Sequence, residues 1–206
     1  MLRIDLHVHS THSGDSLIPV GTLLTTIKHF LPLDGVAITD HDSTYVAKLA
    51  RNLTKRYGVL LIPGVEVSTN EGHLLVLGVE EVPKPPISAF ELADLAREAG
   101  GVVIAAHPCD RRREGIGDLL GELKVDCIEV INARSPKRAN EMARMLARSL
   151  GLPGVGGSDA HTLVEVGRAF TLINSEPDID EILNALKKGK VSARRGRVFR
   201  GAGWLF

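Results

Sequence analysis

The sequence is poor in several residue types whose abundance would indicate particular classes of protein. Its 206 residues include only two cysteines, Cys109 and Cys127, which excludes a disulfide-rich scaffold and favours a reducing, cytoplasmic location. Aromatic residues make up 4% of the chain, and no apolar run has the length of a signal peptide or a membrane span. We therefore expect a cytoplasmic protein without a membrane partner.

The chain also lacks net charge. Its 25 Lys and Arg residues balance its 25 Asp and Glu residues, so the whole molecule has no general attraction to polyanions. The distribution is uneven, because every charged residue after Glu181 is basic: Lys187, Lys188, Lys190, Arg194, Arg195, Arg197 and Arg200. We expect this run to be a solvated face within a basic, aromatic-containing tail from about 190 to 206, and contact with phosphate or nucleic acid is the alternative.

Short apolar runs alternate with segments of helical periodicity. The runs predict strands at 2–8, 35–39, 59–67, 73–78, 102–106, 126–132, 155–158 and 169–173. Helices are predicted at 18–30, 43–57, 88–99, 136–150 and 178–188, with a weak one at 119–123. We expect the 59–67 strand to be interrupted at Pro63-Gly64. The link between Glu66 and His73 is too short for a helical crossover, which predicts a hairpin there.

This alternation indicates one α/β domain, residues 1–206, with a mostly parallel sheet. Seven or eight strands favour a distorted (β/α)7 TIM-like barrel, and an open doubly wound sheet is the alternative.

Two short patterns stand out, His7-x-His9 and Asp159-x-His161, each with the spacing that places both side chains on one face of a strand. Other metal-binding residue types follow the predicted strand ends or, for His73, begin the returning strand: Asp15, His41, Glu66, His73 and His107. Such strand ends converge on one face of a barrel. Imidazoles mixed with carboxylates suit two or three divalent ions of zinc, manganese or iron, which predicts a multi-metal hydrolytic site.

Further residues have supporting roles in this hypothesis. Arg134 follows a strand end and is a candidate to hold a phosphate, as is Arg111 in the run 111–113. Asp5 and Asp40 are candidates to accept hydrogen bonds from ligating imidazoles and so fix their tautomers.

Five motifs taken in order, DLHVHSTHSGD, AITDHDS, GVEVS, AAHP and GGSDAH, resemble those of the PHP (polymerase and histidinol phosphatase) domain family, above all its small stand-alone members. The resemblance extends to about residue 173. It implies a distorted seven-stranded barrel that binds up to three metals and hydrolyses phosphoesters.

The resemblance also implies a division of the ligands among three ions. One ion takes His7, His9, Glu66 and Asp159; a second takes Glu66, His73 and His107; a third takes Asp15, His41 and His161. The pair Asp159-x-His161 is then shared between two ions. His73 is the ligand whose position varies among members of the family, and some members have histidine in place of Asp15.

We therefore expect a metal-dependent phosphoesterase that cleaves a phosphomonoester or phosphodiester with a metal-bound hydroxide. The leading substrates are a nucleotide, a bisphosphorylated nucleotide or a short oligonucleotide, held by Arg134, with His161 as a candidate general acid. The alternatives are an amidohydrolase-like enzyme acting on a C–N bond and a non-catalytic metal-binding module. The sequence leaves the oligomeric state open.

Overall fold

A nine-stranded sheet organises the computed structural model, which describes residues 1–196. Its strands are β1 (Leu2–Val8), β2 (Gly35–Ile38), β3 (Leu60–Thr69), β4 (Gly72–Leu77), β5 (Val102–Ala105), β6 (Cys127–Asn132), β7 (Gly154–Gly157), β8 (Ala169–Ile173) and β9 (Val191–Arg195). Five helices pack against it: α1 (Val20–Phe30), α2 (Tyr45–Tyr57), α3 (Ala89–Glu98), α4 (Lys137–Leu150) and α5 (Ile179–Lys187). In this part of the chain, every helix is too short or too polar to cross a bilayer.

The strand directions place most carboxyl ends on one rim. The order in the sheet is β7-β6-β5-β4-β3-β2-β1-β8-β9. Strands β1, β2, β3, β5, β6 and β7 run in one direction, and β4 and β8 run in the other. The sheet therefore has the mostly parallel character predicted from the alternation of strands and helices, and β4 returns as the second arm of the predicted hairpin.

The sheet curls until its two ends nearly meet. Residues just beyond β7 bond to β1: the Asp159 amide donates to His7 O at 2.6 Å, and the His9 amide donates to Ala160 O at 3.0 Å. The Thr171 hydroxyl of β8 donates to Gly156 O in β7 at 2.9 Å. These contacts make the fold a distorted TIM-like barrel, and the open-sheet alternative is wrong.

Both faces of the parallel strands are buried, as expected where helices cover the outside of a barrel. In β2, Ala37 packs with Leu6 and Ile62 inside the barrel, while Val36 and Ile38 pack against α1 and α2. Among the described strand residues, only Arg3, Arg194 and Arg195 are exposed, so the polar side chains that are buried at the rim require a separate explanation.

Helix boundaries follow the local chemistry of the sequence. Ser88 caps α3 by accepting a hydrogen bond from the Phe90 amide, and Gly58 ends α2 in the left-handed conformation with φ 67°. Gly151 ends α4 in the same way. These boundaries lie within two residues of the predicted ones at most ends.

Two local predictions are wrong, and one strand was not predicted. Strand β3 continues through Pro63-Gly64. Glycine permits the close packing there, because a Cβ on Gly64 would lie 3.0 Å from side-chain atoms of Thr39 and Leu77. The weak helix at 119–123 is replaced by a single 3₁₀ turn, Gly117–Leu119. The start of the predicted tail forms β9, which pairs with β8. The remaining tail residues of interest lie outside the described part: Arg197, Phe199, Arg200, Trp204 and Phe206.

Candidate metal centre

All nine predicted ligands come together at the rim formed by the carboxyl ends of the parallel strands. They are supplied by β1 or the loop after it (His7, His9, Asp15), by the loop after β2 (His41), by the β3–β4 hairpin (Glu66, His73), by the loop after β5 (His107) and by the loop after β7 (Asp159, His161). The reversed direction of β4 explains how a residue at the start of a strand reaches the same rim.

Glu66 lies at the centre of the cluster, and its two carboxylate oxygens face different imidazoles. Oε2 lies 3.0 Å from His7 Nε2 and 3.1 Å from His9 Nε2. Oε1 lies 3.0 Å from His73 Nδ1 and 3.0 Å from His107 Nε2. The side chain of Glu66 is completely buried, so its charge is balanced by these groups rather than by water.

Asp159 completes the first group from the opposite side. Its Oδ1 lies 3.5 Å from His9 Nε2 and 3.7 Å from His7 Nε2. The expectation that Asp159 and His161 share a strand face is wrong, because both residues follow β7 and Asp159 has a φ of 56°. The turn sends the two side chains to different groups of potential ligands.

Backbone strain is concentrated at this rim. Among the described residues, four residues other than glycine have positive φ: Asp42, His107, Glu114 and Asp159. Two of these are predicted ligands, Asp42 follows His41, and Glu114 lies 3.0 Å from His73 Nε2. Such conformations persist where the surroundings hold them in place, and they are frequent at functional sites.

A more exposed group lies at the mouth of the site. His161 Nε2 is 2.9 Å from Asp15 Oδ2, and His41 Nε2 is 3.7 Å from the same oxygen. Half of the Asp15 side chain is accessible to solvent, whereas the side chains of His7, His9 and Glu66 are inaccessible. The rim therefore has a buried inner part and an accessible outer part.

The electrostatics of the buried part keep its carboxylates ionised. Burial alone would raise the pKa of Glu66, but the charge of His7 and hydrogen bonds from His107, His7 and His73 lower it well below its usual value. Burial likewise opposes ionisation of Asp159, whose pKa is nevertheless lowered by His7, His9 and Arg113. Burial would lower the pKa of His7, yet Asp159, Glu66 and Glu129 raise it well above its usual value.

The histidines of the outer part shift in the opposite direction. Burial lowers the pKa of His161, and the nearby charges of His9 and Arg134 lower it further. Asp159 acts in the opposite direction but does not cancel these effects. Burial also lowers the pKa of His41. A neutral imidazole suits a metal ligand or a base better than a general acid.

The donor set fits divalent metal ions. Two ligand atoms about 2.1 Å from one tetrahedral ion lie roughly 3.4 Å apart, and the distances from the Nε2 atoms of His7 and His9 to Glu66 Oε2 and Asp159 Oδ1 run from 3.0 to 3.7 Å. Among residues 1–196, four sets of donors have all their atoms within 4.8 Å of one another: His9, Asp15, His41 and His161; His7, His9 and Glu66; His7, His107 and Asp159; and His41, Glu66 and His73. Only the first set contains a complete predicted group, that of Asp15, His41 and His161. In the described residues, Asp159 Oδ1 is buried without a hydrogen-bond partner, as a ligand oxygen would be.

Glu129 belongs to the site although the sequence reasoning did not single it out. Its Oε1 lies 3.0 Å from His7 Nδ1, and its Oε2 accepts hydrogen bonds from the His107 amide at 2.8 Å and from Asn132 Nδ2 at 3.0 Å. The available signal was a lone carboxylate in the apolar strand run CIEVIN. A buried charge in such a strand must be paired.

The expectation that Asp5 and Asp40 orient imidazoles is wrong. The observed donors to Asp5 are the backbone amides of Ser158, Gly167 and His7. Asp40 instead accepts hydrogen bonds from the amide and hydroxyl of Ser10. Both carboxylates therefore hold the rim loops in place, and Glu129 faces the imidazole of His7.

Arginine reaches the site from two loops. Arg134 NH1 lies 2.6 Å from His161 Nδ1 and 3.8 Å from Asp159 Oδ1, at the place expected for it. The expectation for Arg111 is wrong, because its side chain is 85% exposed and pairs with Asp118. A 3₁₀ turn over Arg111–Arg113 points the third arginine inward instead, where Arg113 pairs with Asp159 Oδ2 and donates to Asn132 Oδ1.

Comparison with known proteins gives a consistent family assignment. A family model described as PHP-associated matches residues 137–191. The uncharacterised protein MJ0417 of Methanocaldococcus jannaschii is 32% identical over 203 residues, which cover 90% of this chain and 79% of that protein. Among solved structures, a two-domain protein of Bacteroides vulgatus containing a predicted PHP-like metal-dependent phosphoesterase superimposes with a TM-score of 0.75. The two sequences are 21% identical, and the superposition covers 95% of this chain and 65% of that chain. This match shows a similarity of fold alone.

Two relatives with named activities match shorter segments. The 5′-3′ exoribonuclease Rnm of Salmonella typhimurium is 34% identical over 108 residues, or 49% of this chain and 36% of that protein. The 3′,5′-nucleoside bisphosphate phosphatase of Chromobacterium violaceum is 32% identical over 117 residues, or 52% of this chain and 40% of that protein. This chain thus aligns with less than half the length of either enzyme.

Proposed function

Because the chain belongs to the PHP family of metal-dependent phosphoesterases, we propose that it cleaves the phosphoester of a nucleotide, a bisphosphorylated nucleotide or a short oligonucleotide at this rim. The observation that carries the proposal is the placement of Glu66. Its Oε1 faces the imidazoles of His73 and His107, and its Oε2 faces those of His7, His9 and, at 3.5 Å, His41. A carboxylate placed in this way can be shared by two neighbouring cations.

Each predicted group of donors has a role in this proposal. His7, His9, Glu66 and Asp159 would hold one ion, Glu66, His73 and His107 a second, and Asp15, His41 and His161 a third. Imidazole and carboxylate donors suit zinc, manganese or iron. Divalent ions bound there would polarise the phosphoryl oxygens and lower the pKa of water.

The arginines of the rim would bind and orient the phosphate. Arg113 and Arg134 both lie beside Asp159, on the loops after the neighbouring strands β5 and β6, and their guanidinium groups can each donate two parallel hydrogen bonds to a phosphoryl group. The contact between Arg134 and His161 Nδ1 places this cation at the edge of the outer group. Where the third ion is absent, His161 would instead be available for proton transfer at the mouth of the site, and its lowered pKa suits a base.

The substrate class is supported by the two named relatives, one of which acts on RNA and the other on a nucleoside bisphosphate, as their names state. Neutral net charge of the whole chain is compatible with a small substrate, since it provides no broad attraction for a long polyanion. A mononucleotide or a short oligonucleotide end is therefore the proposed ligand of the rim.

The test is release of phosphate from phosphomonoesters and nucleotides, and of mononucleotides from short oligonucleotides, by metal-loaded protein, with metal content measured on the same samples. Asp159→Ala should abolish turnover, because it removes a ligand carboxylate between two imidazoles. Arg113→Ala should lower kcat/KM by about tenfold to a hundredfold, since it removes charged hydrogen bonds to phosphate.

Arg111→Ala is the matched control, because Arg111 belongs to the same turn and points into solvent. It should retain the activity of the unaltered protein. Full activity of the Asp159 variant, or of protein stripped of metal, would overturn the proposal. Release of an amine from C–N substrates, with no hydrolysis of any phosphomonoester or phosphodiester, would favour the amidohydrolase alternative.

A further inference from the structure

Two exposed rings pack against each other beside the outer part of the metal centre. The rings of His12 and Tyr45 have centroids 4.5 Å apart and planes inclined by 33°. Tyr45 is 57% exposed even though aromatic residues are scarce in this chain, and His12 is exposed as well. We call this pair the ring platform. An accessible aromatic surface next to a candidate active site is a common feature of ligand-binding sites.

The ring platform stands on loops that also supply predicted metal ligands. His12 shares the loop after β1 with Asp15, and Tyr45 begins α2 four residues after His41. Three trans peptide units separate the Cα atoms of His12 and Asp15, which limits their distance to about 11 Å. A phosphate at the metal centre and a ring on the platform can therefore belong to one small molecule.

Other exposed apolar residues lie on the loops that supply the outer group. Leu17 is 79% exposed, and its amide donates to His161 O at 2.9 Å. Val164 is 46% exposed and lies three residues after His161. Each of the three segments that supply the outer group thus has one large exposed apolar residue. Exposing these side chains to water does not stabilise the fold.

We propose that His12 and Tyr45 stack the base of a nucleoside phosphate whose phosphoryl group occupies the metal centre. This inference rests on the proposed function and adds a determinant of specificity to it. Aromatic side chains stack on the faces of all four bases, so the platform would select nucleosides over other phosphoesters without reading the base. Leu17 and Val164 would cover the sugar and base edges.

The experiment compares adenosine 5′-monophosphate with ribose 5-phosphate, which carries the same ester without the base. Turnover is measured together with equilibrium binding by calorimetry, both on metal-loaded protein. The unaltered protein should prefer the nucleotide, and Tyr45→Ala and His12→Ala should raise KM and Kd for the nucleotide about fivefold or more. Values for ribose 5-phosphate should not change, and kcat should change little.

Two further variants separate stacking from general disturbance. Tyr45→Phe keeps the ring and should keep the preference. Phe90→Ala removes another partly exposed aromatic side chain, at the start of α3, and should behave like the unaltered protein.

The outcomes distinguish the two proposals. The protein could turn over both compounds, bind them with equal affinity and keep these affinities in Tyr45→Ala. That result would overturn the platform and leave the phosphoesterase intact. Absence of nucleotide turnover, together with nucleotide binding that depends on Tyr45, would support the platform and overturn a nucleotide monoester as the substrate of the rim. Absence of both turnover and binding would overturn the platform and that substrate together.

Discussion

Single residues in this rim act on several candidate ligands at once, and Glu129 is the clearest example. One of its oxygens faces the imidazole of His7, and the other accepts from the amide of His107. Through Asn132, which also donates to Asp159 Oδ2 at 2.9 Å, the same network reaches a third predicted ligand. Glu129 therefore fixes the orientation of groups from β1, β5 and β7 together.

Replacing Glu129 with Gln should weaken metal binding by about tenfold to a hundredfold without unfolding the protein. The amide has the same shape but only one accepting oxygen, so it cannot serve His7 and the His107 amide together. Titration of the metal-free protein with Zn²⁺ or Mn²⁺ in a calorimeter measures the change. An unchanged affinity would contradict the role of Glu129 in orienting His7 and His107.

Residue identities in the site were predictable where chemistry alone selects them. All nine predicted ligands reach one rim because imidazoles and carboxylates at strand ends have few other reasons to occur together. The choice of Arg113 over Arg111 was not predictable, since it depends on the direction of one 3₁₀ turn. The roles of Asp5 and Asp40 were also beyond spacing arguments, because backbone amides of distant loops are their partners.

Among the secondary-structure elements, β7 is shaped by the need to approach β1 closely. It consists of Gly154-Val155-Gly156-Gly157, and a Cβ on Gly157 would overlap the Cβ of His7 and lie 2.9 Å from Glu129 Oε1. The sequence predicted this strand from its apolar residue and its position. Its reason for being rich in glycine, the close approach to two site residues, is visible only in the folded barrel.

Gly157→Ala should therefore destabilise the protein by about 1–3 kcal/mol through overpacking, and it should displace His7 and so weaken metal binding. For a chain of this length, the melting temperature should fall by roughly 2–4 °C per kcal/mol. Thermal unfolding of metal-free protein measures the stability. Gly121→Ala is the control, because its new Cβ would have no heavy atom within 4 Å; equal melting temperatures in the two variants would contradict the prediction.

At the scale of the whole molecule, the fold class follows from the alternation of strands and helices, and its closure follows from contacts between the first and last strands of the barrel. Strand β9 escaped prediction because its sequence, VSARR, lacks a clear apolar alternation. Its pairing with β8 depends on tertiary context. The accumulation of buried charge at one rim is also a property of the complete barrel, and it couples stability to pH.

Metal ions should stabilise the protein more strongly as pH rises. The folded-state pKa values of His7, His9 and His73 are raised above the usual 6.5. Protonation of these imidazoles therefore stabilises the metal-free fold below pH 6.5, and this contribution is lost as pH rises through the raised values. Metal requires the deprotonated imidazoles, so protons compete with it at low pH.

The gain in melting temperature on adding Mn²⁺ or Zn²⁺, measured from about pH 5 to about pH 8, should increase across this range. The carboxylates of Glu66 and Asp159 remain ionised throughout, because their pKa values are lowered. A gain that is independent of pH would indicate that the imidazoles are not ligands.

The turn that joins β3 to β4 lies at the surface, yet it should tolerate an insertion as poorly as the core does. Asn70 and Glu71 are the only residues between paired Thr69 and Gly72, and Glu71 also accepts from the Ala89 amide at the start of α3. Because side chains alternate along a strand, inserting one residue here would send His73 to the opposite face of the sheet, away from Glu66. Loop tips are ordinarily where a chain accepts insertions, but here the length of a two-residue turn determines whether two donors can meet.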